Sequence, residues 1–375
     1  MASRARIPGR LAITVAAIIM GFGPVFAQVG KPPLTMASFG GAFTRSQMLA
    51  YVLPYREAAG RWVEVLDHTG GLDEIRRQVR SANPRWDVVS LDLPDAIAGC
   101  AEGLLEPIDH AILAPAPDGT PASADFYEVA LQRCAVGFDV FATVVAYDEG
   151  RFAQPPTALA DFFDLERFPG RRALRARPEV NLEWALIADG VAPDDVYDAL
   201  ATEAGLARAF TVLDRIRGDV VWWQRGEEPA DLLAAGQVAM ASAWNGRIFD
   251  EVERRGSAIG IVWDHAVWSM DVWTIPKDAV NGAEAREFIA FATTAERMAA
   301  QADLIAYGPA RRSAGPLVHA AVRPFLPTAE GRAEGAIRID YGWWAEHQAA
   351  IGRRFDAWLR SDGGPVYDFN REDGN

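Results

Sequence analysis

The sequence predicts an α/β protein built from open sheets, and three observations carry that expectation. Short apolar strands alternate with amphipathic helices along both halves of the chain, the connections between them are short, and half of the 375 residues are apolar. Alternation of this kind is the pattern of an open α/β sheet, whose ligands gather beyond the carboxyl ends of its strands. The length and apolar content suffice for two domains, each with its own core.

The elements follow in order. Residues 34–39 read as a strand and are followed by Gly40-Gly41 and a helical pattern over 44–59. Residues 62–67 alternate as a strand, Leu72, Ile75 and Val79 repeat on one helical face, 87–92 is a strand and 94–102 a helix. The ends of these three strands, Ser38-Phe39-Gly40-Gly41, His68-Thr69-Gly70-Gly71 and Ser90 to Asp92, are candidates for lining a site. Residues 103–125, rich in Pro, Ala and Gly, read as a surface connection. An unusually long β-type run over 135–147 is placed to cross from one domain to another. A second α/β pattern begins at 157, with strands at 171–174 and 219–223 and helices at 180–188 and 229–235. Helices are expected at 283–293 and 295–304, before the turn Ile305-Ala306-Tyr307-Gly308-Pro309. A final helical block contains Trp343, Trp344 and Trp358, and the polar, Gly-rich residues 361–375 form a loose tail.

Within the second pattern, 237–276 is the most informative stretch: the apolar strand QVAMASAW, then Asn245-Gly246, an amphipathic segment to Arg255, and an aromatic-rich strand containing Met270-Asp271-Val272-Trp273. Asp271 is a lone acid in an apolar run, where an ionised carboxylate is costly without a cation or several donors. Trp244, Trp268 and Trp273 suggest an indole wall beside it, the arrangement that holds organic cations. The plainer alternative is a core aspartate satisfied by backbone N–H groups among packing tryptophans.

Arg4, Arg6 and Arg10 precede an apolar run over 11–22, and Val25-Phe26-Ala27 has the small residues of a cleavage site. This reads as a signal peptide over 1–27, cut after Ala27 so that the mature chain starts at Gln28 in the periplasm. The net charge of −14 becomes roughly −17 without that leader, which argues against nucleic acid and anionic membranes as partners. Two cysteines, Cys100 and Cys134, invite one disulfide in an exported chain, with two separate buried thiols as the alternative. The five scattered histidines and two cysteines have no metal-site spacing, so neither metal nor cofactor is expected. Phosphate-loop, GxSxG and HExxH patterns do not occur, and no nucleophile–base arrangement points to an enzyme.

The segments SFGGAF, WDVVSLD, GLLEPID, DFFDLERFPGRRAL, VWWQRGEEPADLLAAGQVAMASAWNGRIF, IVWDHAVWSMDVWTIPK, EFIAFATTAE and AYGPARRSA, in this order, resemble the periplasmic substrate-binding proteins of bacterial ABC importers, in their spermidine/putrescine (polyamine) class. The resemblance implies a type II periplasmic-binding-protein fold: two lobes, each an open mixed sheet flanked by helices, joined by a β-hinge. Lobe one would be 28–139 plus 274–315 and lobe two 140–273 plus 316–375. Matched by position, it implies ligand contacts at Trp244, Asp271, Tyr307, Ser90 and Phe39, with Ser38 beside the last. Ser269 stands where many polyamine binders carry an aromatic. Glu183 is nearest to the second acidic position, with Glu179 as substitute, and Trp343 and Trp344 stand near a C-terminal ligand contact. The implied function is that of a monomeric binder that delivers a cationic polyamine to an inner-membrane permease. The departures at Phe39, Ser269 and Glu183 favour an alternative, another amine-bearing or amino-acid-derived solute whose carboxylate would meet Arg175 or Arg247, if these are not surface arginines. An exported enzyme on the same scaffold and a chemoreceptor partner are further alternatives.

Overall fold

The computed structural model describes residues 32–361; the leader with its cleavage point and the tail beyond Ser361 lie outside the described residues. Eleven strands form one sheet: β1 (Leu34–Ser38), β2 (Val63–Asp67), β3 (Val88–Asp92), β4 (Leu131–Gln132), β5 (Ala135–Asp148), β6 (Arg172–Arg175), β7 (Val220–Trp223), β8 (Met240–Trp244), β9 (Ile259–Thr274), β10 (Gly308–Pro309) and β11 (Ile337–Arg338). The order is β2-β1-β3-β9-β5-β8-β6-β7, with β10 and β4 on β5 and β11 on β9. Strands β1, β2 and β3 are mutually parallel, as are β6, β7 and β8. Each trio is joined to the other through the antiparallel pair β5–β9.

This is the two-lobe α/β fold of type II periplasmic binding proteins. Parallel strands need crossover helices, and those helices bury the sheet faces. One hydrophobic cluster gathers Leu34, Met36, Val63, Ile75, Val88 and Phe288. The other gathers Leu174, Leu182, Trp184, Leu213, Trp344 and Phe355. The long run read at 135–147 is β5, 14 residues in the structure, and the aromatic-rich strand containing Met270–Trp273 is β9, which extends to 16 residues; these are the strands shared by both halves of the sheet. The expected helix at 44–59 forms as a continuous helical stretch from Gly41 to Ala59, with a π-helical turn at Met48–Val52. Among the described residues no helix is long and apolar enough to cross a membrane.

Cys100, at the end of helix Leu93–Ala101, is bonded to Cys134, one residue before β5. The bond ties that helix to the start of the crossing strand. Closing a 34-residue separation is worth about 3–4 kcal/mol on a chain-entropy basis. Reduction should therefore lower the unfolding free energy by about that amount, with two thiols becoming titratable. Denaturant unfolding with and without reductant measures this; equal midpoints would mean that the bridge does not stabilise the fold.

Candidate functional site

Trp244 closes β8, and the next two residues explain why it points where it does. Asn245 Oδ1 accepts from the Ala142 backbone N–H at 2.9 Å, and its Nδ2 donates to the Ala306 carbonyl at 2.9 Å. This one amide fastens the start of helix Asn245–Arg255 to β5 and to the turn carrying Tyr307. A Cβ on Gly246 would lie 2.1 Å from the Ile305 carbonyl oxygen and 2.4 Å from the Tyr307 ring, so only glycine lets the turn approach. The sequence Trp-Asn-Gly thus delivers the indole, the fastening amide and the space for Tyr307.

Around the indole stand Phe141 at 5.9 Å, Trp223 at 5.4 Å and Phe39 at 6.4 Å between ring centres. Tyr307 lies 5.6 Å from Phe141 and 5.8 Å from Phe43. At the floor three aspartates lie side by side across adjacent strands: Asp92 on β3 opposite Asp271 on β9, and Asp271 opposite Asp139 on β5. Burial pushes the Asp271 carboxyl well above its ordinary value, and the Asp139 and Asp92 charges add to the shift, while Arg247 opposes it. Asp139 is raised as well, again chiefly by burial.

The arginines supply the opposite charge. Arg247 is buried and donates to the carbonyls of Gly40 (2.7 Å) and Phe39 (3.2 Å). Both Gly40 and Gly41 have positive φ, and a Cβ on Gly41 would come 2.9 Å from the Arg247 guanidinium, which accounts for the glycine pair. The Arg175 guanidinium lies 4.9 Å from the Trp244 ring centre and 3.6 Å from Asp92. Its Nη2 is buried with no hydrogen-bond partner among the described residues. Arg177 pairs with Glu179 at 3.3 Å and Asp95 at 3.6 Å. Neither Arg175 nor Arg247 is a surface arginine.

Free space widens outward along this line. The cage of Phe39, Phe43, Asp92, Phe141, Trp244, Arg247, Asp271 and Tyr307 encloses about 10 Å³, and the adjoining crevice lined by Arg175, Arg177, Glu179 and Ser269 about 30 Å³. Both arginines and Glu179 also line an open chamber of about 610 Å³ reaching His68, Gly70 and Gln348. The His68 ring is buried, which lowers its pKa to about 4, so it is neutral; Nδ1 accepts from Gly70 N–H and Nε2 donates to the Ser90 carbonyl.

Of the residues proposed from sequence, the structure brings Trp244, Asp271, Tyr307 and Phe39 into one cage, with Ser269 in the crevice beside it. Five do not join them: Ser38, Ser90, Glu183, Trp343 and Trp344. Ser38 is fully buried and donates to Gln47 Oε1 at 2.6 Å. Ser90 is fully buried on β3; the residue of that strand that lines the cage is Asp92. Glu183 sits in the second lobe core, where its Oε1 accepts from Trp344 Nε1 at 2.7 Å and the Tyr197 hydroxyl at 3.0 Å. Trp343 packs on Tyr197, and the face of the last helix that lines the chamber carries Gln348, Gly352 and Arg353 instead. The substitute acid, Glu179, does line the crevice. The expected indole wall is also revised: Trp273 is fully buried, stacked on Phe138 at 4.2 Å, because β9 at that point belongs to the core of the first strand trio. Trp268 packs against the small cluster of Ala142, Val144 and Ala266.

Asp139 and Phe141 were missed. The signal for Asp139 was present, since GFDVF on β5 is an acid in an apolar run just as SMDVW is on β9. Their cross-strand meeting depends on register, which neither strand reveals alone.

A two-lobe fold whose lobes meet over a cage and a cleft defines a solute-binding protein. The chain belongs to the bacterial extracellular solute-binding protein family, whose model matches residues 50–323. It is 36% identical over 340 residues to the gamma-aminobutyric acid-binding protein of Pseudomonas aeruginosa, covering 90% of this chain and 94% of that one. Among solved structures it resembles the PBP AgtB of A. tumefaciens R10 in complex with agropinic acid, with 30% identity, TM-score 0.79, and 87% and 98% of the two chains covered. It also resembles an ABC transporter substrate-binding protein of Bradyrhizobium japonicum USDA 110, with 30% identity, TM-score 0.77, and 88% and 99% covered. The protein is accordingly the solute-binding component of an ABC transporter.

The buried position of Glu183 has a measurable consequence. Burial raises its pKa to about 7 against the hydrogen bonds from Trp344 and Tyr197. A folded pKa above the unfolded one means that the folded chain holds the extra proton, so stability is lost as pH rises from about 4.5 to about 7. Melting curves across that window should be flatter for Glu183→Gln than for the native protein, with solute affinity unchanged. A large affinity loss in a folded Glu183→Gln variant would return this acid to the site.

Proposed function

We propose that the protein binds a small amino-acid-derived solute carrying both an ammonium and a carboxylate, and delivers it to an ABC permease. The ammonium meets Asp271 within the aromatic cage; the carboxylate meets Arg175 in the crevice. The observation that carries this reading is the Arg175 guanidinium, 4.9 Å from the Trp244 ring centre and beside Asp92, with a buried Nη2 that has no hydrogen-bond partner among the described residues. A linear polyamine has no group for a buried guanidinium, and bringing its second ammonium near Arg175 would be repulsive. The relatives point the same way, since one is a gamma-aminobutyric acid-binding protein and another binds agropinic acid, and they lend no support to a polyamine. The cage has room for about one water-sized group. A solute end enters when Arg247 releases the Phe39 and Gly40 carbonyls, and the lobes then close over it.

A thermal-shift and calorimetric panel of gamma-aminobutyrate, longer ω-amino acids, agropinic acid, putrescine and spermidine tests this reading. The amino acid derivatives should raise the melting temperature and the diamines should not. Arg175→Gln should weaken the carboxylate-bearing ligands by about 2–5 kcal/mol, or roughly 30- to 5,000-fold. Tighter binding of putrescine or spermidine than of every amino acid derivative would restore the polyamine reading.

A further inference from the structure

Arg175 and Glu179 reach the crevice from a single turn, between the end of β6 and helix Asn181–Ala188. The turn is pinned by its own neighbours. Asn181 Nδ2 donates to the Arg175 and Arg177 carbonyls, both at 2.7 Å, the Ala176 N–H donates to the Trp223 carbonyl at 2.8 Å, and the Leu182 N–H donates to the Pro178 carbonyl at 3.1 Å. Val180 closes the turn at φ 70°, a left-handed conformation that a β-branched residue keeps only where its surroundings hold it.

Each of the two charged side chains brings one unused atom to the crevice. Arg175 Nη2 and Glu179 Oε2 are both buried with no hydrogen-bond partner among the described residues, and both side chains also line the larger chamber. Their other atoms are engaged. Arg175 Nη1 lies 3.6 Å from Asp92 Oδ2, and Glu179 Oε1 accepts from Arg177 Nη2 at 3.3 Å. Arg177 is shared with Asp95, 3.6 Å away, which accepts from the Gly71 N–H at 3.1 Å as well.

The charged lining of the crevice is therefore Arg175 and Arg177 against Asp92, Asp95 and Glu179. A bare carboxylate would satisfy Arg175 but add a fourth acid beside Glu179, and a bare ammonium would satisfy Glu179 but face two guanidinium groups. A group carrying both charges on one carbon serves both unused atoms and leaves the charge of the crevice as it was. That group is the head of an α-amino acid.

We propose that the outer end of the solute is an α-amino acid head, with its carboxylate on Arg175 and its α-ammonium on Glu179, so that the substrate class is the α,ω-diamino acids and their second ammonium occupies the cage. Glu179 is then a specificity-determining residue that disfavours a carboxylate without an amine beside it. Three points of attachment also make the site enantioselective. The proposal rests on the reading that Arg175 meets the carboxylate of the solute.

Calorimetric titration with matched pairs tests it: gamma-aminobutyrate against 2,4-diaminobutyrate, 5-aminopentanoate against ornithine, and 6-aminohexanoate against lysine, each diamino acid as separate enantiomers. The members of a pair differ only in the α-amino group. In at least one pair the diamino acid should bind about tenfold or more tighter than its partner, the lower end for a close charge pair, with one enantiomer preferred. Glu179→Gln keeps the size of the side chain and removes its charge; it should cancel that advantage while leaving the ω-amino acid within about threefold of native or tighter. Equal or weaker binding of the diamino acid in every pair overturns the proposal, as does a Glu179→Gln variant that keeps the preference or weakens both members of a pair alike. If Glu179→Gln does not fold, native protein decides with Nα-acetylornithine, whose α-nitrogen is uncharged: it should bind no tighter than 5-aminopentanoate, and tighter binding overturns the proposal. An Arg175→Gln variant with unchanged affinity for the ω-amino acids overturns the carboxylate reading and this proposal with it, whereas a loss in Arg175→Gln without any preference for diamino acids overturns this proposal alone.

Discussion

The antiparallel pairing of β5 with β9 is the contact on which the rest of the molecule depends. Each strand is long enough to be shared by the two parallel trios, so one ladder both joins the halves of the sheet and places residues from each beside the other. Parallel βαβ units alone would give two separate lobes with their strand ends open to water. The crossing pair brings Asp139 and Asp271 to the point where β3 and β8 also end, and Asp92 and Trp244 arrive there as the last residues of those strands.

Charge at that point is balanced residue by residue. Three aspartates in a low-dielectric floor would repel one another strongly if all were ionised. Arg175 offsets Asp92, Arg247 lines the cage, and burial with the neighbouring acids holds the Asp271 carboxyl well above its ordinary value. The cage is lined by Asp271 and the crevice beside it by Arg175, two groups of opposite charge. Arg247 also ties helix Asn245–Arg255 to the residues that follow β1, because it donates to the Phe39 and Gly40 carbonyls.

Much of this was legible in the chain. The alternation of apolar strands with helices gave the class of fold, the long β-type run at 135–147 gave one crossing strand, and Trp244, Asp271, Tyr307 and Phe39 were matched by position through the resemblance to polyamine-class binding proteins. Each of those signals is local: a period, a run length, or a short matched motif. Glu183 and Trp344 show where local reading stops. The spacing of an acid in a lobe-two helix says nothing of whether it faces the cleft or the core, and in the fold it meets an indole from a helix 161 residues away.

What the sequence determined by itself was therefore the set of elements, the compartment signal expected at the N-terminus, and the chemical inventory of acids, arginines and aromatics at strand ends. The tertiary structure alone decided which of them meet. Register and the bulge after Gly137 set Asp139 against Asp271, the approach of the lobes set Arg247 on the Phe39 and Gly40 carbonyls, and the stacking on Trp244 set Arg175 into the crevice. A one-residue slip would turn each strand side chain to the opposite face without altering composition or period, so pairing between strands more than a hundred residues apart had to be fixed by packing of the whole sheet before the site had a polarity at all.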